Sequence, residues 1–158
     1  MLAFLANAAA YVIPLLVVIT IIVTVHEFGH FLTARAFGVK VDRFSIGFGR
    51  AIVAFKDHWG VEWRIGWLPL GGYVRFAGDE NAASVPDNDD LDQLKARIRT
   101  REGAGAEKRY FFFKPLWQRA LIVFAGPASN FVGAIALAAA LFATVGEPVA
   151  SMKVLDVL

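Results

Sequence analysis

The chain has 158 residues, enough for one domain or one and a half. Hydrophobic residues make up 57%, charged residues 19%, and mean hydropathy is +0.53; ordinary soluble domains are about 45–50% apolar and about 25% charged. This excludes a disordered chain, the lack of cysteine excludes a disulfide scaffold or a thiolate metal site, and a net charge of +2 is too small to argue for nucleic acid.

From Met1 to Val25 there is no charged side chain, and from Ala9 to Val25 the only polar ones are Tyr11, Thr20 and Thr24. A second uncharged stretch, Ala120 to Gly146, is interrupted only by Ser129, Asn130 and Thr144. About 20 mostly apolar residues cross a bilayer as a helix, so the sequence predicts two transmembrane helices, over 1–37 and 110–146. Pro14 is expected in an early, tolerant helical turn and Gly38 as a C-terminal stop. A cleaved signal peptide ending near Ala8–Ala10 is the alternative for the first stretch, but such a peptide wants a positive leading segment and none exists. Two buried helices of a soluble protein are a poorer fit, because so short a chain cannot wrap them.

Of the 16 Lys and Arg residues, 15 lie between Arg35 and Arg119, and the other is Lys153. Arg35, Lys40 and Arg43 follow the first span, while Lys108, Arg109, Lys114 and Arg119 precede or open the second. By the positive-inside rule the connector is cytoplasmic and both chain ends lie outside. Attraction to anionic headgroups is a secondary reading of the same charges.

The connector divides in two. Residues 38–78 read as β-rich and membrane-associated: Ala51–Phe55 and Val61–Ile65 flank a hairpin loop, Lys56–Gly60, and Val61, Trp63 and Ile65 alternate with Glu62 and Arg64. The apolar face of so small a hairpin needs cover from helices or the membrane interface, to which Trp59, Trp63, Trp67 and Tyr73 are suited. Residues 79–109 read as a charged, solvated insertion without chemistry, with a short helix carrying Leu91, Leu94 and Ile98 on one side, Asp89, Asp90 and Asp92 early, and Lys95, Arg97 and Arg99 late. Residues 147–158 alternate weakly, as the opening strand of a further domain would.

His26-Glu27-Phe28-Gly29-His30 closes the first apolar stretch and matches H-E-x-x-H. One helical turn separates the two imidazoles, so both can bind a single divalent ion, with Glu27 beside it as general base. Zinc suits two imidazoles. The rival reading is a satisfied interfacial cluster, which requires that helix end to be wet, since an unpaired acid at membrane depth is costly. His58, alone in the hairpin loop, reads as a surface histidine.

Four stretches then carry a resemblance. They are His26–Phe31, Phe44-Ser45-Ile46-Gly47-Phe48-Gly49, Pro69-Leu70-Gly71-Gly72-Tyr73-Val74-Arg75-Phe76, and Trp117-Gln118-Arg119-Ala120 leading into Ala125-Gly126-Pro127-Ala128-Ser129-Asn130-Phe131. In this order the chain resembles the N-terminal part of the site-2 proteases, the intramembrane zinc metalloproteases, and most of all their bacterial RseP type. The resemblance implies His26 and His30 as Zn2+ ligands and Glu27 as the catalytic carboxylate. It implies that the β-region, with Gly71, Gly72 and Tyr73, engages a membrane-spanning protein substrate as an added strand, and that Gly126 and Asn130, a G-x-x-x-N pair, support the active site. Close helix packing by small residues is the alternative for that pair. It also implies a bacterial inner membrane and substrates such as membrane-anchored anti-sigma factors.

One departure stands out. The family's third zinc ligand is an aspartate in a Leu-Asp-Gly motif, which this sequence lacks; Leu91-Asp92-Gln93 and Leu155-Asp156-Val157 are not substitutes. The expectation is a truncated chain or gene fragment, inactive alone, whose missing C-terminal part supplies the aspartate and completes a PDZ-like domain begun at 147–158. A non-catalytic membrane scaffold that keeps the fold, and a soluble zincin with a secretory leader, are the other readings.

Overall fold

A computed structural model describes residues 1–79 and 87–146, without the side chains of residues 2–9 and 88. The expected strand in 147–158, with Leu155-Asp156-Val157, lies outside the described residues. Two long helices, α1 (Leu2–Ala36) and α3 (Leu116–Val145), flank two long strands, β1 (Val41–Lys56) and β2 (Glu62–Phe76), and a shorter helix, α2 (Asn88–Glu102). Two 3₁₀ turns, Ala106–Arg109 and Phe111–Phe113, lead into α3.

Both long helices present apolar side chains outward. Tyr11 is 79% exposed, Leu137 73% and Phe131 72%. Ala10–Ala36 and Leu116–Val145 are long and apolar enough to cross a membrane, and helices that are apolar on every face need either a large core or lipid around them. Among the described residues no large core surrounds them. Because α1 starts at Leu2, Pro14 sits inside the helix and not in its first turn as expected; membrane helices tolerate such a proline more readily than soluble ones. Gly38, at φ +67°, ends α1 by donating its N–H to Arg35 O at 2.9 Å.

The two helices approach closely through small residues. A Cβ on Gly29 would stand 2.8 Å from Ser129 Cβ, and Ser129 Oγ donates to Val25 O across the gap at 2.8 Å. Lys114 Nζ donates to Phe37 O at 2.6 Å, fastening the start of α3 to the end of α1.

The strands are far longer than the expected hairpin. Lys56↔Glu62 through Ala51↔Gly66 form the anticipated arms, but β1 begins ten residues earlier and β2 ends eleven residues after Ile65. Each strand bends near its middle, β1 at Gly47 and Gly49 (φ +79° and +81°). The Arg64 guanidinium donates to Gly49 O and Ser45 Oγ to Gly47 O, holding that bend. The early half of β1 consequently has partners on both sides. Arg43–Ile46 faces Arg75–Gly72 in antiparallel sense on one side, and Glu62–Ile65, whose numbers rise with its own, on the other. The segments therefore lie in the order 51–56, 62–66, 43–46, 72–76. Local alternation identified only the arm where polar and apolar residues alternate cleanly.

Phe31 of α1 covers the expected apolar face, meeting Phe44 at 5.6 Å and Trp63 at 5.2 Å between ring centroids. With Ala34, Val39, Val41, Val61 and Ile122 they make the main core. The sheet then runs back alongside α1: Thr20 Oγ1 lies 2.7 Å from both Leu16 O and Pro69 O. Thr20 is sixteen residues before Ala36, so the sheet reaches about 24 Å back along α1 at 1.5 Å per residue.

The insertion is not merely solvated, as the sequence suggests. Ile98 is buried against Ala77, Ala106 and Tyr110, with Leu94 beside it. Glu102 accepts from Lys40 Nζ at 2.6 Å, Tyr110 OH at 2.7 Å and Arg109 Nη2 at 2.9 Å. Those bonds fasten the end of α2 to the start of β1 and hold the Glu102 carboxyl below its ordinary range. Asp87 caps α2 by accepting from Asp90 N–H at 2.8 Å.

Candidate active site

The H-E-x-x-H run lies on α1 where the helix meets both α3 and the sheet. The rings of His26 and His30 stand 4.8 Å apart, centroid to centroid, at 81°. Their Nε2 atoms converge on Gly126 of α3: a Cβ built there would fall 2.7 Å from His26 Nε2 and closer still to His30 Nε2. The Nδ1 atoms point elsewhere and are held. His30 Nδ1 is 2.7 Å from Ile122 O, a geometry in which the ring N–H donates to the carbonyl. His26 Nδ1 is 3.2 Å from Nδ2 of the Asn130 side-chain amide, whose oxygen, Oδ1, is buried without a partner. Turned end for end, that amide puts Oδ1 against a His26 Nδ1–H and removes the orphan.

This donor set fits a divalent metal ion. Ligating histidines ordinarily give one ring nitrogen to the metal and donate the other's N–H to a carbonyl or amide. Here both Nε2 lone pairs are left facing one space roofed by the one residue type without a Cβ. Among the described residues, however, no cluster of three His, Cys, Asp or Glu side chains is positioned to hold a metal, and zinc sites ordinarily use three protein ligands or more. The two imidazoles make an incomplete site.

Glu27 points to the sheet. Its Oε2 accepts from Val74 N–H at 3.2 Å, and a Cβ on Gly72 would lie 3.7 Å from Glu27 Cγ. Gly72 thus stands beside the carboxylate, whereas a Cβ on Gly71 would meet the Phe48 ring at 2.9 Å and Val23 Cγ1 at 3.8 Å. Tyr73 is turned to the sheet's own surface, its ring stacked on Phe48 at 6.1 Å and its hydroxyl 3.3 Å from Arg43 Nη1. The structure therefore brings His26, Glu27, His30, Gly126, Asn130 and Gly72 together, with Gly71 at the margin and Tyr73 one layer away. His58 lies in the hairpin loop, packed against Trp59, whose ring meets Arg35 near the end of α1.

Sequence reasoning misses three members of the site. Ile122 serves through a backbone carbonyl, which side-chain chemistry cannot signal. Val74 serves through its N–H, for the same reason. Ser129 was visible as a polar residue in an apolar run, and its Oγ bridges Val25 O and Gly126 O at 2.8 and 2.7 Å.

Comparison with known proteins gives one family match, to a model described as Peptidase family M50, over residues 14–157. The chain is 53% identical over 146 residues to Metalloprotease MmpA of Caulobacter vibrioides, which covers 92% of this chain and 37% of that protein. It is 40% identical over 147 residues to a protein of Agrobacterium fabrum called a zinc metalloprotease, covering 93% and 37% respectively. It is 42% identical over 135 residues to the Regulator of sigma-E protease RseP of Salmonella typhimurium, covering 85% of this chain and 25% of that protein. The chain thus spans about 37% of the length of the first two relatives.

Proposed function

The chain belongs to peptidase family M50, the site-2 proteases, and on that premise we propose that it carries the His-Glu-His part of an intramembrane zinc endopeptidase. The observation that carries the reading is the convergence of two free Nε2 atoms under Gly126 with both Nδ1 atoms held.

His26 and His30 would hold the zinc ion, and a third ligand, an aspartate, would come from protein beyond the 158 residues; alone, these residues would bind metal weakly and cleave nothing. Bound there, zinc would polarise the scissile carbonyl and bring the pKa of water down to about 7. The rest is the work of this chain's own groups. Ile122 O and Asn130 keep the two rings turned so that Nε2 faces the site. Glu27, one residue from the first ligand, takes a proton from the attacking water and passes it to the leaving amine.

The substrate would be a membrane-spanning protein, presented as a strand. Every amide in a transmembrane helix is already hydrogen-bonded, so cleavage requires unwinding, and a freed segment needs new partners. An exposed sheet edge supplies them. The stretch 72–76 is the outer segment of the sheet, paired on one side with 43–46 and meeting only α1, through Glu27, on the other. The name of the Salmonella relative supports a regulatory target such as a membrane-anchored anti-sigma factor. Arg35, Lys40 and Arg43 after α1, with Lys108, Arg109, Lys114 and Arg119 around the start of α3, support a cytoplasmic connector in a bacterial inner membrane, with both ends of the chain outside.

The test is Glu27→Gln in a full-length protein containing this chain: metal is retained and cleavage of a membrane-anchored substrate is lost. Cleavage at an undiminished rate would remove Glu27 from its role.

A further inference from the structure

The hydrogen bond from Val74 N–H to Glu27 Oε2 gives the acid a second occupation. Along a strand, successive residues turn their backbone groups alternately to one side and the other. Ala77 N–H turns toward β1, donating to Lys40 O at 2.9 Å. Val74 N–H turns away from β1, to the carboxylate. In the register Ser45↔Tyr73 and Ile46↔Gly72, this alternation directs the Tyr73 and Arg75 backbones to β1 and those of Gly72 and Val74 to the outer edge. A strand added beside 72–76 must use those outward groups, and the Val74 donor is the one Glu27 already holds.

We propose that Glu27 stands in for the substrate strand at this edge. A docking strand takes the Val74 N–H with one of its own carbonyls and frees the carboxylate to turn toward the space between His26 and His30. Val74 is then a positioning residue, acting through its amide, that couples strand docking to release of the base. The close approach of α1 to the edge at Gly72 serves the same end. A Cβ at 72 would press on Ser45 O at 2.6 Å and stand in ordinary contact with Glu27 Cγ at 3.7 Å, which places the α1 carboxylate against the strand. The inference rests on the strand-addition reading above and adds to it the competition between substrate and acid for one donor.

The experiment uses a zinc-loaded full-length protein containing this chain, in lipid nanodiscs, and, as probe, an uncharged extended peptide of eight alternating valine and alanine residues. Amide-proton shifts and hydrogen exchange are followed at 72–76, with peptide affinity measured in parallel. In Glu27→Ala the Val74 amide loses its carboxylate shift and exchanges faster, whereas Tyr73 and Arg75, bonded to β1, do not change. The peptide shifts Gly72 and Val74, and binds Glu27→Ala roughly tenfold or more tighter than the unaltered protein, the weight of one hydrogen bond to a charged acceptor. Glu27→Gln, which keeps the length but weakens the acceptor, falls between them and serves if the alanine variant does not fold. Peptide shifts at Gly72 and Val74 with equal affinity in all three proteins would overturn the competition while leaving strand addition standing. No shift at the edge in any of them would overturn strand addition, and the competition with it.

Discussion

Gly126→Ala is the sharpest perturbation the structure offers. The added methyl would sit 2.7 Å from His26 Nε2 and nearer to His30 Nε2, whereas ordinary contact begins at 3.4 Å. The His26 ring would have to retreat by about 0.7 Å and the His30 ring by more, and metal–ligand distances in working sites hold to about ±0.2 Å. A loss of zinc affinity of about 100-fold or more is expected, about 2.8 kcal/mol at 1.4 kcal/mol per tenfold. The helix itself gains, since alanine is about 1 kcal/mol better than glycine in a helix interior. Gly133→Ala supplies the control: its Cβ would stand 3.6 Å from Val25 Cγ1, in ordinary contact, so affinity stays unchanged there. Zinc titration against a chromophoric chelator, in a full-length protein containing the chain, measures both variants. Gly126→Ala binding within threefold of the parent would refute the converging-Nε2 geometry.

Asn130→Ala removes the amide that holds the His26 ring; zinc affinity should fall about 10- to 100-fold, as for other groups that orient a ligating histidine, and an unchanged affinity in the same titration would reduce Asn130 to a packing role. Thr20→Val removes the bond to Pro69 O that fixes the far end of the sheet to α1; the loss should be about 0.6 kcal/mol, typical of a hydrogen bond in such surroundings, with faster amide exchange at Leu68 and Leu70, and protection equal to the parent's would contradict the tie. The Arg99 guanidinium and the Gly105 N–H hold the Glu107 carboxyl down to about 2, and Lys40 and Tyr110 hold Glu102 below its ordinary range. Carboxylates with lowered pKa stabilise the fold above their unfolded value, near 4.5, and that contribution is lost as pH falls toward about 2. The insertion should therefore loosen between those limits, before the α1–α3 pair, with Glu102→Gln moving the onset; amide exchange in 88–110 that stays flat from pH 5 to 2 would contradict it.

Side-chain chemistry made part of the site legible. Two imidazoles and an acid in an uncharged run have few other uses, and the 26–30 spacing places them on one helix face. Gly126 and Asn130 came from resemblance alone, yet the structure gives each a physical task, one by absence of a Cβ and the other by its amide. Ile122 O and Val74 N–H were invisible because every residue carries those groups. In the fold, the length of the two uncharged apolar runs found both long helices, but alternation stopped short on the sheet. The reason is the early half of β1, which is sandwiched between two neighbours, so that Phe44, Ser45 and Gly47 are all buried and alternation disappears. The insertion was read by its charge, and its small core was overlooked because Ile98 and Tyr110 are separated by eleven polar or small residues, a turn among them.

Zinc K-edge absorption on a full-length protein containing this chain is the most direct measurement, because it counts and identifies the atoms around the metal. The expected spectrum has two imidazole nitrogens at about 2.0–2.1 Å, both lost when His26 and His30 are replaced together by alanine. A zinc site whose spectrum is unchanged by that double replacement, or protein that takes up no zinc at all, would contradict the assignment.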